Sequence, residues 1–162
     1  MKNILITVAG SVLVLFGLIW LASASKNDTP PAPAGENLLV AEETTYDFGQ
    51  IRMADGKVRK EFTIRNADSA SLTVKQLYTS CMCTSATLLH RGSRIGPFGM
   101  VGHGFIPTIS RELAPGETAQ VEVEFDPNAH GPAGVGYIER IVTVATKEGA
   151  VLELNISVNV IP

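Results

Sequence analysis

Between Val151 and Val160 the chain alternates without a break: Leu152, Leu154, Ile156, Val158 and Val160 are apolar, and Glu153, Asn155, Ser157 and Asn159 between them are polar. A helix would scatter those apolar side chains around its axis, whereas a strand places them all on one face. The segment therefore reads as a half-buried β-strand with water on its other side. Ala119 to Phe125 repeats the pattern, with Val121, Val123 and Phe125 inward and Gln120, Glu122 and Glu124 outward.

Shorter runs follow the same rule. Phe62 and Ile64 face inward in Val58 to Arg65, as do Leu72 and Val74 in Leu72 to Tyr78. Ile138, Val142 and Val144 share a face in Ile138 to Thr146, where Arg140 falls on the same parity and suggests a position near the strand's edge. Leu38 to Val40 and Tyr46 to Ile51 open the sheet. Turn residues separate the runs at Ala54-Asp55-Gly56, Asn66-Ala67-Asp68-Ser69, Ala114-Pro115-Gly116-Glu117 and Lys147-Glu148-Gly149. The predicted fold is all-β, an immunoglobulin-like sandwich of about seven strands, with an up-and-down barrel as the competing architecture.

The first residues obey a different rule. Ile4 to Ala24 is an uncharged stretch of about 21 residues that would rise about 30 Å as a helix, the thickness of a bilayer core. Lys2 precedes it and Trp20 sits where an interfacial ring would lie, so residues 1–24 are expected to be a transmembrane anchor with a cytoplasmic N-terminus. Ala22-Ser23-Ala24 also resembles a cleavage site, and a cleaved signal peptide would export the domain equally well. No cysteine follows, so a lipid anchor is not indicated. Residues 25–37 are Pro/Ala-rich and read as an extended spacer. The remaining residues, 38–162, suit one domain on the periplasmic or extracellular side of the membrane.

With a net charge of −3 and a pI near 5.6, the chain has no basic cluster to neutralise phosphates, and nucleic-acid binding is set aside. H-E-x-x-H, G-x-S-x-G and phosphate-loop motifs are all missing, so no catalytic residues are assigned and the chain is not expected to be an enzyme. Residues 88–109 break the alternation with five glycines and two prolines, and read as a long inserted loop. Its apolar content is read either as a loop packed over its own sandwich or as a partner-binding surface, in which Phe98, Met100, Phe105 and Ile106 are candidate anchors for an unknown protein partner.

Cys81-Met82-Cys83 is the one constellation with chemical character. On an extended strand the two thiols would point the same way with Cα atoms about 6.6 Å apart, too far for a disulfide without a sharp bend. Three readings remain: two small buried hydrophobes, a soft-metal site for copper or zinc, or a thiol-redox pair. Met82 and His103 are the first further donors considered for a metal, with Met100, His90 and His130 behind them. No cofactor is otherwise expected.

The segments Thr45-Tyr46-Asp47-Phe48-Gly49-Gln50-Ile51, Phe62-Thr63-Ile64-Arg65-Asn66, Ser80-Cys81-Met82-Cys83-Thr84, Leu113-Ala114-Pro115-Gly116-Glu117 and Val121-Glu122-Val123-Glu124-Phe125-Asp126 carry a likeness in this order. Through them the chain resembles a bacterial family known as domain of unknown function 1573, similar to the immunoglobulin-like modules of Hydin-type proteins. The resemblance implies an exported β-sandwich and no defined activity. Met82 stands where the family commonly has Gly, and the connection from Thr84 to Leu113 is longer than usual for it. The function expected from all of this is a membrane-anchored, non-catalytic interaction module, with a metal or thiol site as the alternative.

Overall fold

The computed structural model describes residues 38–102 and 108–162. The expected anchor and spacer, with His103, Phe105 and Ile106 of the proposed loop, lie outside the described residues. Among the described residues no helix is long and apolar enough to cross a membrane.

Ten strands are described: β1 (Leu39–Ala41), β2 (Thr45–Arg52), β3 (Val58–Asn66), β4 (Leu72–Thr79), β5 (Thr84–His90), β6 (Ser93–Phe98), β7 (Arg111–Leu113), β8 (Thr118–Phe125), β9 (Gly136–Thr146) and β10 (Val151–Ile161). They form two five-stranded sheets in the orders β1-β3-β8-β5-β6 and β2-β10-β9-β4-β7. The all-β sandwich is as expected; the count of seven strands is not. All neighbours pair antiparallel except β2, which runs parallel to β10 along one edge.

The alternating runs supply the core. Leu154, Ile156, Val158 and Val160 of β10 meet Val121, Val123 and Phe125 of β8 and Phe62 and Ile64 of β3 in one buried cluster. Each such side chain contributes roughly 1.5–3 kcal/mol through the apolar area it removes from water. In β4 a bulge between Val74 and Gln76 shifts the parity, so Leu77 and Thr79 follow Leu72 and Val74 inward.

Three expectations are corrected here. The stretch 88–109 is not one long loop: Leu88 to His90 closes β5, and β6 returns beside it with Leu88 opposite Ile95 and His90 opposite Ser93. The hairpin turns on Arg91 and Gly92, with φ of 49° and 74°, and an arginine in that left-handed region carries no turn signal in sequence. Phe98 is only 7% exposed and belongs to the core, so it is not a partner anchor. Arg140, for its part, does not lie near the strand's edge, because it is in the middle of the eleven residues of β9.

Two polar corners lock the strand ends. Asn66 is fully buried; its side-chain amide donates to the carbonyls of Ala70 (2.8 Å) and Leu113 (2.9 Å), and its side-chain oxygen accepts from the Asp68 N–H (2.8 Å). Asn66→Leu strands those partners without replacement and is expected to cost about 2 kcal/mol or more, read as a lowered urea midpoint with an unchanged slope.

Glu117 forms the second corner. Its carboxylate accepts from Arg91 (2.7 and 2.8 Å) and the Ala114 N–H (2.8 Å), and lies 2.9 Å from His90 Nε2. The Arg91 hydrogen bonds foremost, then the Ala114 N–H and His90, hold its pKa at about 2 instead of the usual 4.5. A depressed carboxylate stabilises the fold fully above its unfolded pKa, and that stability is lost as pH falls from about 4.5 toward 2. Glu117→Gln is therefore expected to be less stable than the wild type at pH 7, and the gap should narrow across that acid window in thermal melts at stepped pH.

Candidate metal and thiol centre

Two of the chain's crossings from one sheet to the other meet at the same end of the sandwich. The first crossing is the link from β4 to β5, and the second the link from β8 to β9. Strand pairing brings them together, since Thr84 at the start of β5 is opposite Phe125 at the end of β8, and Thr79 at the end of β4 is opposite Val142 in β9.

Cys81, Met82 and Cys83 occupy the first crossing. It closes as a tight turn, with the Thr84 N–H donating to the Cys81 carbonyl at 3.1 Å. The Thr79 hydroxyl lies 3.0 Å from the carbonyls of both Cys81 and Thr84, and the Asp126 N–H donates to the Cys83 carbonyl at 2.8 Å. This is the sharp bend that an extended strand would have lacked. It draws the two sulfurs to 2.9 Å, both of them free thiols, with Cys83 buried and Cys81 half-buried. Met82, at the tip of the turn, is 57% exposed.

The second crossing supplies His130. The Asp126 side chain caps this turn by accepting from the Asn128 N–H at 2.8 Å, and the 3-10 turn Gly131–Gly134 leads on into β9. His130 Nε2 comes within 3.2 Å of Cys81 Sγ. Gly134 backs the histidine closely: a Cβ there would lie 3.3 Å from His130 Cβ, so a larger residue would push the imidazole. From β9, Arg140 donates its Nε–H to Cys83 Sγ at 3.2 Å and an Nη1–H to the Glu139 carbonyl at 2.7 Å. Its inward parity, read in the sequence as an edge signal, is what brings a positive charge to the sulfurs.

The thiols are electrostatically distinct. Burial opposes ionisation of Cys81, but the hydrogen bonds from the Cys83 thiol and backbone N–H, with His130 and the charge of Arg140, bring its pKa from 9 to about 6. Burial, reinforced by its role as donor to Cys81, pushes Cys83 up, with Arg140 acting against it. The geometry thus favours ionisation of Cys81 over Cys83, whose thiol donates to it.

Of the donors considered from sequence, the structure unites Cys81 and Cys83 with His130, whose ligand atoms all lie within 4.8 Å of one another. His90 is elsewhere, buried against Glu117. Met100 is half-buried, its backbone bridged to Thr79. Arg140 joins them through Cys83, and the signal for it in the sequence is a charge at an inward position.

A model of the family described as "Protein of unknown function (DUF1573)" matches residues 39–108, which include the cysteine turn but neither His130 nor Arg140. No curated protein matches the chain. Among solved structures, a protein of unknown function from Porphyromonas gingivalis W83 is 15% identical, with a TM-score of 0.56 over 82% of this chain and 51% of that one. The chain thus spans about half the length of that protein. The ASH/PapD-like domain 7 of human CEP192 is 12% identical, with a TM-score of 0.50 over 85% of this chain and 94% of that one. A family 123 glycoside hydrolase from Clostridium perfringens, 9% identical, reaches a TM-score of 0.50 over 72% of this chain and 22% of that one. Such likenesses define a PapD-like β fold and no activity, because unrelated functions share it.

The exposures and ionisation of the two cysteines set their reactivity. In the folded chain, iodoacetamide is expected to modify Cys81 first and Cys83 only after unfolding, as read by peptide mass spectrometry; equal native labelling would contradict the described geometry.

Proposed function

We propose that this chain is a non-catalytic binding module, exported and held on the outer face of a bacterial membrane by residues 4–24, whose binding centre takes a soft metal ion on Cys81, Cys83 and His130. The observation that carries the reading is the convergence of two sulfurs and an imidazole nitrogen from separate crossings within 4.8 Å. Thiolate and imidazole are the donors that select copper and zinc among biological metals. A thiolate beside an imidazole is also the geometry of a nucleophile and its base. Here the second thiol, 2.9 Å away and already donating to the first, turns the pair toward chelation. Export is supported by the uncharged run from Ile4 to Ala24 and its basic N-terminal flank.

Native mass spectrometry of the full chain in detergent, reduced and anaerobic, tests the reading with Cu(I) and Zn(II) offered separately. One ion per chain is expected, absent in the Cys81→Ser, Cys83→Ser double variant. His130→Ala should weaken its retention about tenfold or more, since even outer-sphere partners of metal sites cost that much. A chain that retains neither ion would refute the proposal.

A further inference from the structure

Resting on that metal-binding reading, we propose that the ion is Cu(I) and that Arg140 is a positioning residue that makes the centre prefer a monovalent ion to a divalent one. The first observation is charge. Two thiolates and a neutral imidazole around Cu(I) leave one net negative charge, and the Arg140 guanidinium, 3.2 Å from Cys83 Sγ, offsets it. The same ligands around Zn(II) are already neutral, so Arg140 leaves an uncompensated positive charge beside a divalent cation. Arginine stays protonated throughout the accessible pH range, so this discrimination does not switch off.

The second observation is the number of donors. Among the described residues the group has three members, Cys81, Cys83 and His130. A structural zinc ion takes four ligands in a tetrahedron, whereas soft sulfur donors in small number suit Cu(I). Access is the third. Cys83 is buried, Cys81 half-buried and His130 exposed, so the ion would sit at the rim of the sandwich with one flank open to a partner that delivers or removes it.

Arg140 is itself held in place. Its hydrogen bond to the Glu139 carbonyl and its position on the central strand of the sheet hold the guanidinium against the sulfur. A unit charge a few ångströms from a thiolate, at an effective dielectric near 20, is enough to change ion affinity by about tenfold or more.

The test is competition for metal by the full chain in detergent, reduced and anaerobic, against bicinchoninate for Cu(I) and a fluorescent chelator for Zn(II). Arg140→Gln is expected to weaken Cu(I) binding about tenfold while leaving Zn(II) binding equal or tighter, and Arg140→Lys to restore the wild-type ratio. X-ray absorption of the wild-type copper form should give a three-coordinate shell with two sulfurs and one nitrogen, a readout that survives if the variants fail to fold. Equal losses of both metals in Arg140→Gln, or a four-coordinate shell, would overturn the role of Arg140 and the choice of Cu(I) while leaving metal binding intact. Failure of the wild type to hold either ion would instead remove the reading beneath.

Discussion

The pairing of β5 with β8 and of β4 with β9 is the constraint on which the rest of this domain depends. Each pair has one strand leaving a crossing and one strand near the other crossing, so the ladders that complete the two sheets also carry both crossings to one end. The core drives that pairing. Leu88 and Ala86 of β5 pack with Val121 and Val123 of β8, and Leu77 of β4 with Val142 and Val144 of β9, as part of one buried cluster. Burial that stabilises the fold therefore also fixes the distance between a cysteine turn and a histidine 49 residues away.

The polar groups are arranged as the core requires. Along the outer face of the first sheet, Glu124 accepts from Lys57 and Arg59 and Glu122 from Arg94, pairs that lie in solvent and contribute little to stability. Asn66 and Glu117 are different, because they satisfy backbone groups where strands end and no ladder remains to do so. Arg140 is the exception. It spends an inward position in the middle of β9 on a charge, which the core does not need and the sulfurs do. A local rule broken at one position, with a compensating partner beside it, is the usual mark of a working site.

The turn at Cys81 joins local and long-range structure. The same residues on an extended strand would be two inert thiols pointing in parallel. Folded through the Thr84 N–H to Cys81 carbonyl bond and buttressed by Thr79, they become a converging pair with unequal affinity for a proton. The buttress comes from β4 and the flanking charge from β9, so the chemistry of the pair depends on the assembly of both sheets.

Alternation alone identified the strands that form the core, because a period of two residues is a local property that burial on one face imposes directly. Val151 to Val160, Ala119 to Phe125 and Phe62 with Ile64 kept the faces read for them. The cysteine pair was likewise legible as the place to look for chemistry. What the sequence left undetermined has a common cause. The hairpin at Arg91 and Gly92 uses a backbone conformation its residues do not advertise, and Phe98 is buried only because that hairpin folds back on β5. The bend at Cys81, the approach of His130 and the charge of Arg140 arise from hydrogen bonds and strand register between segments far apart in the chain. No window of sequence contains both partners of such a contact, so only the tertiary structure could decide that two cysteines, a histidine and an arginine share one site.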